Sequence, residues 1–405
     1  MRKRAPPWLC ASVAHETCQR HCEMLSPLGH IDRRPARGSG IPSPGATVRD
    51  PSKIRIEFLY AASSMTFRKR FLFAAAASAI SVIGTIGVVL AIDVHLHHKF
   101  GSMAGLNIWG YRGEPAGRKR PHEVRVVVLG GSTVVGFGLD EPDSFPYQLS
   151  QLLNRSAVPP TTYSVVNLGY NQAGAYSFRF YLEDYQYLDY DVVCLYEGYN
   201  DLGLPNRKLS RRDWLSFRLT GYMPILPIIM SEKVRLWRYG DVRGPDPTGR
   251  VVFRPGLVNR TKADVLEAAT AITDSIDRQL RNVINSEVDR SGVPPVPECS
   301  ERWSFYCGSV ATGVDYARHL GKAVIVVTQP TIGGGHQEQQ AELRAMLAHR
   351  YASDPGVRYL NLADAVDMSD PAMTWDSMHL TSTGNRLIAQ RLLPAVLGIG
   401  TSLSR

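Results

Sequence analysis

The sequence predicts an α/β domain built on a parallel sheet and preceded by one membrane-spanning helix. Three observations predict it. Short, continuous apolar runs alternate with amphipathic stretches between residues 123 and 400, as strands buried on both faces and their covering helices do. A single uncharged run, residues 71–92, is long enough to cross a bilayer. The segment ahead of that run has a different composition from everything after it.

Residues 1–64 are rich in Pro, Gly, Ser and Arg and hold no lasting helical or strand period. They offer too little apolar surface to offset backbone ordering, so disorder is expected. Cys10, Cys18 and Cys22 fall here, but their irregular spacing does not match the ligand patterns of zinc sites. The chain carries a formal net charge of +9, which by itself invites a nucleic-acid partner. Residues 1–70, however, hold 13 Lys or Arg against 5 Asp or Glu, so eight of the nine charges sit there. The remainder is close to neutral and has no basic face for nucleic acid.

The basic flank and anchor occupy residues 65–92. Arg68, Lys69 and Arg70 precede the apolar run, whose 22 residues span about 33 Å as a helix. An uncleaved anchor is favoured over a cleaved signal peptide, because the run exceeds the usual signal length and no small-x-small pair follows it cleanly. The positive-inside rule puts the N-terminus in the cytoplasm and residues 93–405 on the periplasmic or extracellular side. Met65 with its basic tripeptide forms a complete signal-like start, so residues 1–64 are open to being an upstream start-codon assignment. His95, His97 and His98 follow the span and read as a juxtamembrane polar collar rather than a metal site. Residues 93–122, rich in Gly, read as a linker.

The domain itself is assigned to residues 123–400. Strands are expected at 124–130, 163–167, 191–197, 323–329 and 357–362. Helices are expected at 145–153, 177–187, 313–320, 337–351 and 384–397. Between the third and fourth strands lies an insertion, about residues 204–308. Its apolar stretch at 222–230 contains Pro224 and Pro227, which argue against a spanning helix and for a lid or membrane-facing loop. Residues 262–285 have a helical apolar face. Cys299 and Cys307 would pair as a disulfide in an exported domain. Cys194, inside the third strand, reads as a buried hydrophobe. The aromatic series Tyr176, Phe178, Phe180, Tyr181, Tyr185 and Tyr187 reads as core packing ahead of a sugar platform.

Ligands of open parallel sheets bind beyond the carboxyl ends of the strands. There the sequence places Gly130-Gly131-Ser132-Thr133 after strand one. Asn167 to Gly174 follow strand two, Gly198-Tyr199-Asn200-Asp201 follow strand three, and Asp376-Ser377-Met378-His379 precede the last helix. These parts suit acyl transfer. Two glycines let the chain turn and expose the Ser132 hydroxyl, which needs a base; His379 is the candidate. Asp376, three residues earlier, can hold the imidazole tautomer. The Ser132 backbone N–H, a glycine N–H after strand two and the Asn200 amide are the candidate oxyanion donors. No metal or organic cofactor is implied.

These four blocks, in this order, resemble the SGNH (GDSL-type) hydrolase family. The resemblance covers about residues 120–400 without the insertion. It implies a flavodoxin-like three-layer α/β/α fold with a five-stranded parallel sheet. It also implies ester hydrolysis through Ser132, His379 and Asp376, with a glycine and Asn200 completing the oxyanion hole. Two departures stand out. The family's Gly-Asp-Ser-Leu is here Gly-Gly-Ser-Thr, so the acidic residue before the nucleophile is missing. The block-two glycine is also displaced: the usual spacing falls near Gln172, and Gly174 is assigned on a two-residue extension, with Gly169 as the alternative. The expected activity is a membrane-anchored esterase acting on lipid or acylated-carbohydrate esters. An O-acyltransferase using the same triad on an envelope glycan, and a non-catalytic envelope-binding module, are the competing readings.

Overall fold

The computed structural model describes residues 66–100, 105–239, 258, 261–266 and 292–403. The chain divides into two compact units. In the first, described over residues 66–92, the chain forms most of helix α1 (Phe67–Phe100). This is the one helix among the described residues long and apolar enough to cross a membrane. Phe71, Leu72, Ile80, Ile83 and Val88 all face outward from it.

The second unit, from Asp93 onward, is an α/β domain. Its elements are β1 (Glu123–Gly130), α2 (Ser132–Val135), α3 (Phe145–Ser156), β2 (Thr162–Asn167), α4 (Ser177–Asp184) and β3 (Val192–Tyr196). Then come α5 (Leu215–Thr220), α6 (Leu226–Tyr239), α7 (Glu301–His319), β4 (Ala323–Thr328), α8 (Gly334–Arg350), β5 (Val357–Asn361) and α9 (Ser382–Leu403). The five strands are parallel and ordered β2-β1-β3-β4-β5. That is the flavodoxin-like order, with its switch point between β1 and β3.

The period-2 alternation of each strand feeds two cores. Val127, Leu129, Val193, Leu195, Val324 and Val326 pack with Phe178, Trp303, Val310 and Met346 on one face. Val126, Val128, Val192, Cys194, Ile325 and Val327 pack with Phe145, Leu149, Ile388 and Leu392 on the other. Both faces are covered, so the strands are continuously apolar. Cys194 is fully buried, and burial pushes its thiol up to about 12, consistent with a packing role.

Several boundaries differ from the sequence expectation. Helix α7 begins at Glu301 rather than at residue 313, and Gly308 and Gly313 lie inside it because Val293, Pro294 and Phe178 press against those positions. Within the 222–230 stretch the chain is not a loop from end to end. Leu226 starts α6, Pro227 sits in its first turn where no N–H is needed, and Met223 and Ile225 are buried. The helix expected at 262–285 is described only over residues 261–266, which are helical; the rest of it, and Cys10, Cys18 and Cys22, lie outside the described residues. Cys299 and Cys307 form a disulfide. Residues 105–122, read as linker, lie against the domain: Arg112 N–H donates to Asn167 O at 3.1 Å, and Tyr111 is buried. His97 is buried too, its ring nitrogens 2.8 Å from Leu106 O and 2.9 Å from Met223 O, which accounts for that histidine without a metal. Of the aromatic series only Tyr187 is exposed; the other five residues are core.

Candidate active site

Register brings the strand ends together. Gly130 lies beside Tyr196, and Val128 beside Asn167, so the segments after β1, β2 and β3 converge. Immediately after β1 the chain turns into the single-turn helix α2, with Ser132 as its first residue. Both glycines are required by close approach. A Cβ at Gly130 would lie 2.1 Å from Tyr196 O, and one at Gly131 would lie 2.1 Å from Asn200 Nδ2. At the far end of α2 the buried Arg112 guanidinium donates to the carbonyls of Val135, Gly136 and Leu139. Burial lowers the Arg112 value to about 10, leaving it a cation at neutral pH. It therefore fixes the C-terminal end of the turn that carries Ser132.

Ser132 Oγ is 2.8 Å from His379 Nε2. His379 Nδ1 is 2.6 Å from Asp376 Oδ2. The Asp376 carboxylate also accepts the backbone N–H groups of His379, at 2.6 Å, and Met378, at 3.0 Å. Burial acts to raise the Asp376 carboxyl, but the hydrogen bonds from His379 and Met378 outweigh it, and the group is held below its ordinary value. Asp376 and His379 are carried on a tight excursion closed by a Thr374–Leu380 bridge, with Ser377 at φ 63°. Trp375 stacks on the His379 ring at 5.2 Å and 16°, and Phe137 approaches it at 5.1 Å. One face of the base is thus shielded by aromatic carbon.

Asn200 sits on a 3-10 turn, Tyr199–Asp201, directly after β3. Its Nδ2 donates to Ala173 O at 2.9 Å and to Glu197 Oε1 at 3.3 Å. The two candidate glycines after β2 differ. Gly169 N–H donates to Asn167 Oδ1 at 3.0 Å, so it is already engaged. Gly174 N–H has no protein acceptor among the described residues. A Cβ on Gly174 would lie 2.6 Å from Asp201 Oδ1, so only glycine fits against that side chain. Gln172 has φ 63°, its carbonyl accepts from Asn206 Nδ2 at 3.0 Å, and its side chain accepts from Lys208 Nζ at 2.6 Å. The start of the insertion therefore pins the loop after β2.

Sequence reasoning named Ser132, His379, Asp376, Asn200 and Gly174, and the fold brings these onto one strand-end surface. It missed Glu197, Gln329, Arg112 and Trp375. Each is a single side chain in an otherwise ordinary strand end or loop, with no spacing signal of its own. Gln172 did leave a trace, because it stands where the block-two spacing puts a glycine and adopts a glycine-like φ.

No protein-family model and no curated protein matches the chain. Three solved structures are similar to it. A lipolytic protein of the G-D-S-L family from Desulfitobacterium hafniense DCB-2 shares 11% identity over 67% of this chain and 98% of its own, with TM-score 0.34. A family 3 carbohydrate esterase from Clostridium thermocellum shares 12% over 70% and 100%, with TM-score 0.38. An acetylxylan esterase from Geobacillus stearothermophilus shares 14% over 67% and 93%, with TM-score 0.34. Likeness at this level carries nothing about chemistry, which rests on this chain's own side chains. A separate cleft of about 730 Å³, lined by Trp109, Arg179, Glu183 and Tyr187 among others, contains none of Ser132, His379 or Asn200.

Proposed function

We propose that this protein is a membrane-anchored serine esterase that hydrolyses acyl esters of lipid or acylated carbohydrate outside the cytoplasm. The observation that carries this reading is the unbroken relay from Ser132 Oγ through His379 to Asp376, at 2.8 and 2.6 Å. In it, His379 Nε2 takes the Ser132 proton as Oγ attacks the ester carbonyl, and Asp376 stabilises the imidazolium. The oxyanion is assigned the Ser132 N–H, the Gly174 N–H and the Asn200 amide, whose Nδ2 gives up Ala173 O or Glu197 Oε1 to reach it; Gly169 is set aside because it packs against Val134 and Val135. The imidazolium then protonates the departing alcohol, and His379 activates the water that releases the acid and restores Ser132.

The basic residues Arg68, Lys69 and Arg70 ahead of the apolar helix support a cytoplasmic N-terminus. An uncleaved anchor is supported by Asp93 and His97, which follow the apolar run in the same helix and are buried. A fluorophosphonate probe tests the catalytic reading. Labelling that is lost in Ser132→Ala supports it, and a wild type that takes no label overturns it. Acetate release from an acetylated xylo-oligosaccharide, measured beside release from a long-chain ester, then separates the two substrate classes.

A further inference from the structure

Behind the Asn200 turn lies a pair of carboxyl groups that the relay does not use. Glu197 is 3% exposed and Asp201 6%. Glu197 Oε1 accepts the N–H groups of Gly198 at 3.1 Å and Asn200 at 3.3 Å, and the Asn200 Nδ2 at 3.3 Å. Its Oε2 lies 3.0 Å from where a Cβ on Gly131 would be, so the carboxyl missing from the position before the nucleophile is supplied in space by the residue that follows β3. Asp201 Oδ2 accepts Ala175 N–H at 2.9 Å. Glu197 Oε2 and Asp201 Oδ1 are buried without a hydrogen-bond partner among the described residues.

Glu197 thus touches both sides of the place where negative charge develops: the glycine preceding Ser132 and the amide of Asn200. We propose that Glu197 is a positioning residue that holds Gly131 and Asn200 as a neutral acid, and that its ionisation turns the site off. This rests on the serine-esterase reading. A carboxylate one hydrogen bond away from an oxyanion donor opposes the developing charge and competes for the same N–H groups, whereas a neutral acid offers its carbonyl oxygen without that penalty.

The surroundings favour the neutral form. Burial raises the Glu197 carboxyl, and the charge of Asp201 raises it further; the N–H donors of Gly198 and Asn200 lower it without offsetting these. Burial raises Asp201 as well. From α7, the Tyr306 hydroxyl donates to Glu197 O, and burial holds that phenol neutral. From α8, His336 faces Gly198 and burial lowers it to about 4, so it is neutral. Burial keeps the Tyr196 and Tyr199 phenols neutral. Asp376 is close enough for its charge to act on the neighbouring Tyr199.

The test uses the full chain in detergent and a chromogenic acetyl ester, with kcat and KM read between about pH 6 and 9. Wild-type kcat should fall on the alkaline side. Glu197→Gln keeps the acceptor oxygen but cannot ionise, so its kcat should lack that fall while KM stays within about twofold. Asp201→Asn removes the charge that raises Glu197 and should move the fall to lower pH. An alkaline fall in Glu197→Gln that matches the wild type overturns the role of Glu197 alone. If that variant does not fold, the direction of the Asp201→Asn shift decides, and no acidward movement overturns the proposal. Failure of the wild type to label at Ser132 overturns the esterase reading and this proposal with it.

Discussion

Gln329 Nε2 donates to Thr133 Oγ1 at 2.7 Å. The Oε1 of the same side chain accepts the Tyr199 N–H at 2.9 Å. One fully buried amide at the end of β4 therefore spans the nucleophile turn and the Asn200 turn, and sets the distance between them. It also gives the departure to Thr133 a purpose, since a leucine there has no hydroxyl to offer. Gln329→Leu leaves a buried N–H and a buried hydroxyl without partners. It is expected to cost roughly 1–3 kcal/mol of stability for each stranded group and to lower kcat more than it changes KM. Urea denaturation and steady-state kinetics check both; an unaltered kcat would sever Gln329 from the site.

Gly131 and Asn200 form a second coupled pair. Asn200→Ala is predicted to lower kcat by roughly 10²–10³ through loss of an oxyanion donor. Gly131→Ala introduces a Cβ at 2.1 Å from Asn200 Nδ2, so it should displace that amide and lose activity on a similar scale. Because both act on one group, the double variant is expected to be no worse than about tenfold below the poorer single one. Additive losses would mean that Gly131 serves some other end.

Much of this was legible in the sequence, for identifiable reasons. The strands announced themselves because a sheet covered on both faces must be apolar at every position, as at 126–129 and 324–327. The strand-end blocks were legible because the residues of the proposed triad occupy short local patterns, Gly130-Gly131-Ser132 and Asp376 to His379. Glu197 and Gln329 were not legible. Their meaning lies in contacts across 66 and 196 residues, Gly131 to Glu197 and Thr133 to Gln329, which no local pattern encodes. Helix α7 was expected only from residue 313; its first turns include Gly308, which tight packing favours there as it does at Gly313. Helix α6 was missed because two prolines read as breakers, although one precedes the helix and the other falls in its first turn.

Within the relay, Ser132→Ala and His379→Ala are each expected to lower activity by several orders of magnitude, and Asp376→Ala by less. Asp376 also makes a signed statement about stability. Its carboxyl is held below the ordinary 3.8, so its contribution is present above that pH and is lost as pH falls through the lower folded value. Acid titration of the folded protein should show wild type losing stability relative to Asp376→Asn only below about pH 4. A difference that changes between pH 5 and 8 would point to a group other than Asp376.

Asp93, the first residue of the α/β unit after the apolar run, is tied to the segment Tyr222–Leu226. Its Oδ1 accepts the N–H groups of Ile225, at 3.0 Å, and Leu226, and its Oδ2 accepts the Tyr222 hydroxyl. A carboxylate at this place satisfies the first free N–H groups of α6 and meets the positive end of its dipole. Asp93→Ala strands those buried donors and is expected to destabilise the domain by roughly 1–3 kcal/mol. For the same reason a chain beginning at residue 101 should melt at a lower temperature than one beginning at residue 93. That outcome would make residues 93–100 part of the folding unit that begins at Asp93. Thermal denaturation of the two truncated chains, with Asp93→Ala in the longer one as a third arm, decides it. Equal melting temperatures in all three would return residues 93–100 to the role of a tether.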